Sequence, residues 1–140
     1  MSTAKMKILC VEDDADIREI CCLALELNGD VDVQPCSGGQ EALAFTANAV
    51  FDVILMDVMM PELDGPATLR RMRQSPQTAG TPVIFVTAKA TRDELQRLTG
   101  LGATGVICKP FNPVTLLQQV RAILASDRGP QGPIGPIAAG

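Results

Sequence analysis

Val53-Ile54-Leu55-Met56-Asp57-Val58-Met59-Met60-Pro61-Glu62-Leu63-Asp64-Gly65 is the stretch on which the fold turns. A short continuous apolar run ends on a single carboxylate. Such a run suits a strand buried on both faces, as in a parallel sheet. Ile8-Leu9-Cys10-Val11, Val83-Ile84-Phe85-Val86 and Val106-Ile107-Cys108 repeat the pattern, stopping at Glu12, Thr87 and Lys109. Val31-Asp32-Val33 alternates instead, which predicts a more exposed edge strand.

Helical segments lie between these runs. Ile17, Ile20, Cys21, Ala24 and Leu25 recur at the spacing of one apolar helical face, and Gly29 is placed to end that helix. Ser37 with Gln40, and Thr91 with Glu94, read as capping boxes. Pro66 and Pro113 suit the first turns of two further helices, where a missing N–H costs nothing. Leu69 and Met72, Leu95 and Leu98, and Leu117, Val120 and Leu124 mark the remaining apolar faces. Alternating strand and helix predicts an α/β fold: five βα units around a parallel sheet with helices on both faces. The expected domain is 1–126. Residues 127–140, rich in Gly-Pro pairs, read as a flexible tail or linker.

The 140 residues suit one domain. No stretch approaches the roughly 18 apolar residues of a membrane span, and Met1 to Lys7 lacks a secretory apolar segment, so a cytoplasmic protein away from membranes is expected. The net charge is −4, with acids crowded before Gly65 and basic residues after it. There is no aromatic-plus-basic stripe, which argues against direct contact with nucleic acid. Cys10, Cys21, Cys22, Cys36 and Cys108 form no CxxC pair and read as small buried hydrophobes of a reducing compartment. Histidine is absent, which excludes imidazole catalysis and His-ligated zinc. Gly100-Leu101-Gly102-Ala103-Thr104-Gly105 fits GxGxxG literally, but it follows a helix and precedes a strand, the reverse of a dinucleotide fingerprint.

In an open α/β sheet, ligands bind beyond the carboxyl ends of the strands. Those ends carry Glu12-Asp13-Asp14, Asp57, Thr87 and Lys109. Clustered carboxylates repel unless a cation joins them, and a hard, oxygen-seeking ion such as Mg²⁺ fits. Metal and lysine would then offset the charge of an incoming phosphoryl group. Asp57 is the candidate nucleophile, since a carboxylate can form an acyl phosphate. Asp14 and Asp16 read more simply as helix-capping or solvent-facing acids.

Taken in order, Ile8-Leu9-Cys10-Val11-Glu12-Asp13-Asp14, Val53 to Gly65, Val83 to Ala88, and Gly102 to Phe111 with Lys109-Pro110 resemble the response-regulator receiver family, of the single-domain, chemotaxis-regulator-like kind. The resemblance runs from about Lys7 to Ala125. It implies a flavodoxin-like doubly wound sheet in the order 2-1-3-4-5. It implies that Asp57 accepts a phosphoryl group from a histidine kinase, a phosphotransfer protein or a small phosphodonor. Asp13, Asp57 and the Met59 backbone carbonyl would hold Mg²⁺, with Glu12 acting through water. Thr87 would bond a phosphoryl oxygen, Ala88 would leave room for it and Lys109 would pair with it. The Lys109–Pro110 bond would be cis. One position departs from the family: an aromatic residue often stands three before the lysine, and here it is Val106.

The expected function is therefore a phosphorylation-switched signalling module, not an enzyme with a metabolic substrate. It would signal by docking a downstream protein, as a monomer or a phosphorylation-dependent dimer. Three alternatives keep parts of this expectation: a receiver from a hybrid kinase or longer regulator, a phosphorylation-independent adaptor, and a Mg²⁺-dependent phosphatase. The last usually needs an acid two residues after the nucleophile, where this chain has Met59.

Overall fold

A computed structural model describes residues 5–27 and 29–128. The elements run β1 (Met6–Val11), α1 (Ala15–Leu25), β2 (Val31–Cys36), α2 (Gly39–Asn48), β3 (Val53–Asp57), α3 (Gly65–Gln74), β4 (Val83–Thr87), α4 (Arg92–Gly100), β5 (Gly105–Cys108) and α5 (Leu116–Arg128). The five strands are parallel and lie in the order β2-β1-β3-β4-β5. This is the doubly wound arrangement expected, and α5 continues two residues past the expected domain end at 126. From Gly129 onward, the tail lies outside the described residues.

Each apolar run divides between two layers, because successive strand side chains point to opposite faces. Ile8, Cys10, Leu55, Ile84 and Val86 pack with Cys21, Leu25, Leu116 and Val120 of α1 and α5. Leu9, Val11, Ile54, Met56 and Phe85 pack with Ala42, Leu69, Met72 and Leu98 of α2, α3 and α4. A continuous apolar sequence is thus what a two-sided core requires. Truncating a fully buried residue such as Ile54 to alanine would cost about 2–5 kcal/mol. β2 is an edge strand, as its alternation predicted, but it extends to Cys36 and takes in Pro35, which lies beside Cys10.

Several local expectations need correction. Ser37 is not reached by Gln40: its N–H (2.7 Å) and hydroxyl (2.9 Å) both donate to Glu41, one residue further on. The N-cap of α2 is Gly38, which has no side chain to cap with. Thr91 does cap α4, accepting from the Glu94 N–H, but the Glu94 carboxylate turns to Arg97 at 3.0 Å instead of closing the box. Pro66 sits in the first turn of α3, whereas Pro113 falls in a turn before α5, where the Asn112 side chain and carbonyl accept from Val114 and Thr115. Gly29 adopts a positive φ of 75° and its N–H bonds the Glu26 carbonyl just past α1. Ile20 and Leu95, assigned to apolar faces, are 47% and 37% exposed. Cys108 is exposed, because β5 is the opposite edge of the sheet and ends at this residue.

Candidate phosphoryl-acceptor site

Strand register assembles the site. Val11 lies beside Met56, so the next residue of each strand sets Glu12 level with Asp57. Asp57 lies beside Val86 and Thr87 beside Cys108, which brings Lys109 in one step further along. Backbone bonds carry the ladders past the strand ends: Glu12 N–H to the Cys36 carbonyl (2.9 Å), Val58 N–H to Val86 (3.3 Å) and Lys109 N–H to Thr87 (2.7 Å). The carboxyl ends of β1, β3, β4 and β5 thus deliver their polar residues to one mouth.

Lys109 Nζ stands 3.2 Å from Asp57 Oδ2 and 3.2 Å from Glu12 Oε1. Both carboxylates are nearly buried, at 6% and 5% exposure, while Asp13 is exposed beside them. Oxygens of Glu12, Asp13 and Asp57 all lie within 4.8 Å of one another. Three carboxylates against one ammonium leave the cluster net negative. Its hard oxygen donors fit a divalent cation of the Mg²⁺ type, which commonly takes one or two carboxylates and keeps several waters. Burial pushes the Glu12 carboxyl above the usual glutamate range and the Asp57 charge adds to it, with the Asp14 N–H and Lys109 only partly offsetting them. Burial pulls Lys109 down, but Asp57 and Glu12 together outweigh it and hold the ammonium above its ordinary value.

The surrounding turns fix these groups. Asp14 caps α1, accepting from Asp16 (2.9 Å) and Ile17 (3.0 Å), so it serves as a cap. Arg18 donates to the Glu12 carbonyl at 2.7 Å and braces the acidic turn. Nothing in the sequence pattern marked Arg18; only the return of α1 past β1 reveals it. After β3 the chain folds back, with Gly65 N–H bonding the Val58 carbonyl at 3.0 Å and Glu62 in a left-handed conformation (φ 68°). Gly65 admits no side chain, since a Cβ there would stand 2.5 Å from the Asp57 carbonyl oxygen and 2.7 Å from Phe85 Cε1. Met59, two residues after Asp57, is 77% exposed. Thr87 is buried, and its hydroxyl accepts the Lys89 N–H at 3.0 Å. Ala88 is exposed beside it. The Lys109–Pro110 bond is cis. Val106 packs, partly buried, against the α2–α3–α4 layer. The GxGxxG stretch runs from the end of α4 into β5, and Arg73 holds the Gly102 carbonyl at 3.0 Å, a structural role.

A doubly wound sheet with a carboxylate cluster and a paired lysine at its carboxyl edge defines a class of α/β domains with a charged site at the strand ends. The response regulator receiver domain profile matches residues 8–121, and the chain belongs to that family. It is 35% identical over 133 residues to a transcriptional regulatory protein CpxR homolog of Haemophilus influenzae, covering 94% of this chain and 56% of that one. It is 41% identical to the transcriptional regulatory protein CpxR of Klebsiella pneumoniae, covering 84% of this chain and 49% of the relative. The chain therefore spans about half the length of these curated relatives. Among solved structures, the chemotaxis protein CheY4 of Vibrio cholerae matches with a TM-score of 0.80 and 36% identity, over 86% of this chain and 99% of that one. Among the described residues, no helix is long and apolar enough to cross a membrane.

Proposed function

We propose that the chain is a two-component phosphorylation switch in which Asp57 accepts a phosphoryl group from a histidine kinase or phosphotransfer protein. The observation that carries this reading is the nearly buried Asp57 carboxylate paired with Lys109 at 3.2 Å, beside Glu12 and Asp13. An Asp57 carboxylate oxygen attacks phosphorus. An O–P bond forms as the donor's P–N bond breaks, the electron pair leaves on the imidazole, and an acyl phosphate remains. Asp13, Asp57 and the Met59 carbonyl would hold Mg²⁺, with Glu12 joined through water; when bound, the ion offsets charge on the phosphoryl oxygens. Lys109 pairs with the new phosphoryl group, releasing its hold on Glu12. Thr87 turns its hydroxyl to a phosphoryl oxygen, which takes the acceptor away from the Lys89 N–H and loosens the turn leading into α4.

With Val106 at the position where relatives often carry a ring, the readout passes through this β4–α4 turn rather than an aromatic side chain. The phosphorylated conformer docks a downstream protein, as a monomer or as a phosphorylation-dependent dimer, by shifting a pre-existing equilibrium. The module works in the cytoplasm, contacts no nucleic acid itself and has no separate metabolic substrate. The exposed Met59 side chain, where a phosphatase of this chemistry carries an acid, supports the last point. A second reading sets the same switch within a longer regulator or hybrid kinase; half-length coverage of the curated relatives favours it, and the native open reading frame decides.

The test is intact mass after incubation with Mg²⁺ and acetyl phosphate. One Mg²⁺-dependent phosphoryl adduct, lost in Asp57→Asn, is the expected result. A folded protein that takes no adduct from several donors would overturn the proposal in favour of a phosphorylation-independent adaptor.

A further inference from the structure

Three of the five cysteines meet on one face of the sheet, away from the carboxylates. Cys10 of β1 and Cys21 of α1 place their Sγ atoms 3.0 Å apart, and both are buried, at 2% and 4% exposure. Cys22, next in α1, packs against the same layer but is only half-buried. We propose that these residues form a thiol-oxidation site at which a peroxide closes a Cys10–Cys21 disulfide through Cys22.

The division of labour follows from exposure. Of these three, Cys22 is the one a small oxidant meets first, whereas the pair in contact is sealed within the core. The Cys22 thiol is also the reactive one, held below its ordinary value chiefly by the neighbouring Cys10 thiol. Its thiolate attacks a peroxide oxygen; the O–O bond breaks, hydroxide leaves and a sulfenic acid forms. The Cys10 sulphur then attacks the sulfenic sulphur, and its proton departs with the hydroxyl as water. Cys21, in contact with Cys10, attacks the Cys10 sulphur of this mixed disulfide and returns Cys22 to the thiolate. Together with the proton that neutralises the hydroxide, two thiols and one hydrogen peroxide become one disulfide and two waters.

The remaining thiols are unsuited. Cys36 is buried in the opposite layer, across the sheet from Cys10 and Cys21. Cys108 lies on β5, with β3 and β4 between it and β1. The closed bond would enclose Val11 to Ile20 in a covalent ring, and that segment carries Glu12 and Asp13. Oxidation would therefore clamp the acidic turn without touching it.

The full chain is treated with equimolar hydrogen peroxide, quenched in acid, denatured and alkylated with N-ethylmaleimide. Alkylated thiols fall from the five of the reduced chain to three. Fragmentation places the link between Cys10 and Cys21, and dithiothreitol reverses it. Cys22→Ala forms the same link at least tenfold more slowly, and Cys108→Ser forms it at the wild-type rate. Five alkylated thiols after treatment, a link that includes Cys36 or Cys108, or an intermolecular link would overturn the site. Wild-type rates in Cys22→Ala would overturn its role as the port. The mapping on the native chain needs no variant to fold.

Discussion

Gly65→Ala tests how tightly the strand that carries Asp57 is held. The added methyl would stand 2.5 Å from the Asp57 carbonyl oxygen, 2.7 Å from Phe85 Cε1 and 3.1 Å from the Val58 Cα. Two of these neighbours are backbone, and the third is a fully buried ring, so none can swing aside. Overpacking of this kind costs typically 1–3 kcal/mol; with backbone on two sides, about 3 kcal/mol is expected. At a urea slope of about 2 kcal/mol/M, that lowers the unfolding midpoint by about 1.5 M. Gly100→Ala, at the end of α4 where a Cβ meets nothing within 4 Å, is the control and should raise stability by up to about 1 kcal/mol. Because relief of the clash must displace the Asp57 backbone, adduct formation from acetyl phosphate should slow as well. A Gly65→Ala midpoint within about 0.3 M of the native chain, well inside the expected shift, would refute the packing argument.

The other groups make separate predictions. In Thr87→Ala, the aspartyl phosphate should still form, but the Lys89 amide resonance should no longer respond to it; a native response in nitrogen–proton spectra would count against the proposed coupling. Lys109→Met removes the cation competing for Asp57 and Glu12, so Mg²⁺ should bind roughly tenfold more tightly, read as a larger Mg²⁺-induced rise in unfolding temperature, while adduct formation slows. Unchanged or weaker Mg²⁺ binding would contradict the charge balance drawn for the site. The Ser37 N–H and hydroxyl hold Glu41 below its ordinary 4.5. Its folded pKa lies below the unfolded one, so its contribution is present above that range and lost as pH falls through the folded value. Between about pH 5 and pH 3, the native chain should lose more stability than Glu41→Gln, by about 0.5 kcal/mol given the exposure of the pair. Parallel urea titrations of the two proteins would show it.

The central strands were legible because burial on both faces forces a continuous apolar run, and Ile54 and Leu55 could go nowhere else. Asp57, Glu12 and Lys109 were legible because each follows such a run directly, and a parallel register brings strand ends together. Helix starts were read less well. Ser37 can be served by Gln40 or Glu41 on spacing alone, and the choice depends on where Gly38 sets the first turn. Pro113 fits a first helical turn, but the Asn112 side chain diverts the chain into a separate turn before α5. Cys108 resembled a core residue because β5 is apolar, and only its edge position exposes it. Arg18 and the contact between Cys10 and Cys21 depend on how α1 returns along β1, which periodicity does not encode.

Pro35 has a consequence for the protein in a crowded solution. The Cys36 carbonyl accepts from Glu12, so the amide positions of β2 that face β1 are those of Cys36 and its alternates. The Pro35 nitrogen therefore lies on the open side of the sheet, where it has no hydrogen to offer. A strand from a second molecule that tried to extend the sheet here would find a missing donor and a pyrrolidine ring in its path. The fold thus protects its β2 edge from templating copies of itself. Replacing Pro35 with valine would remove that safeguard while leaving the strand's own bonds to β1 intact.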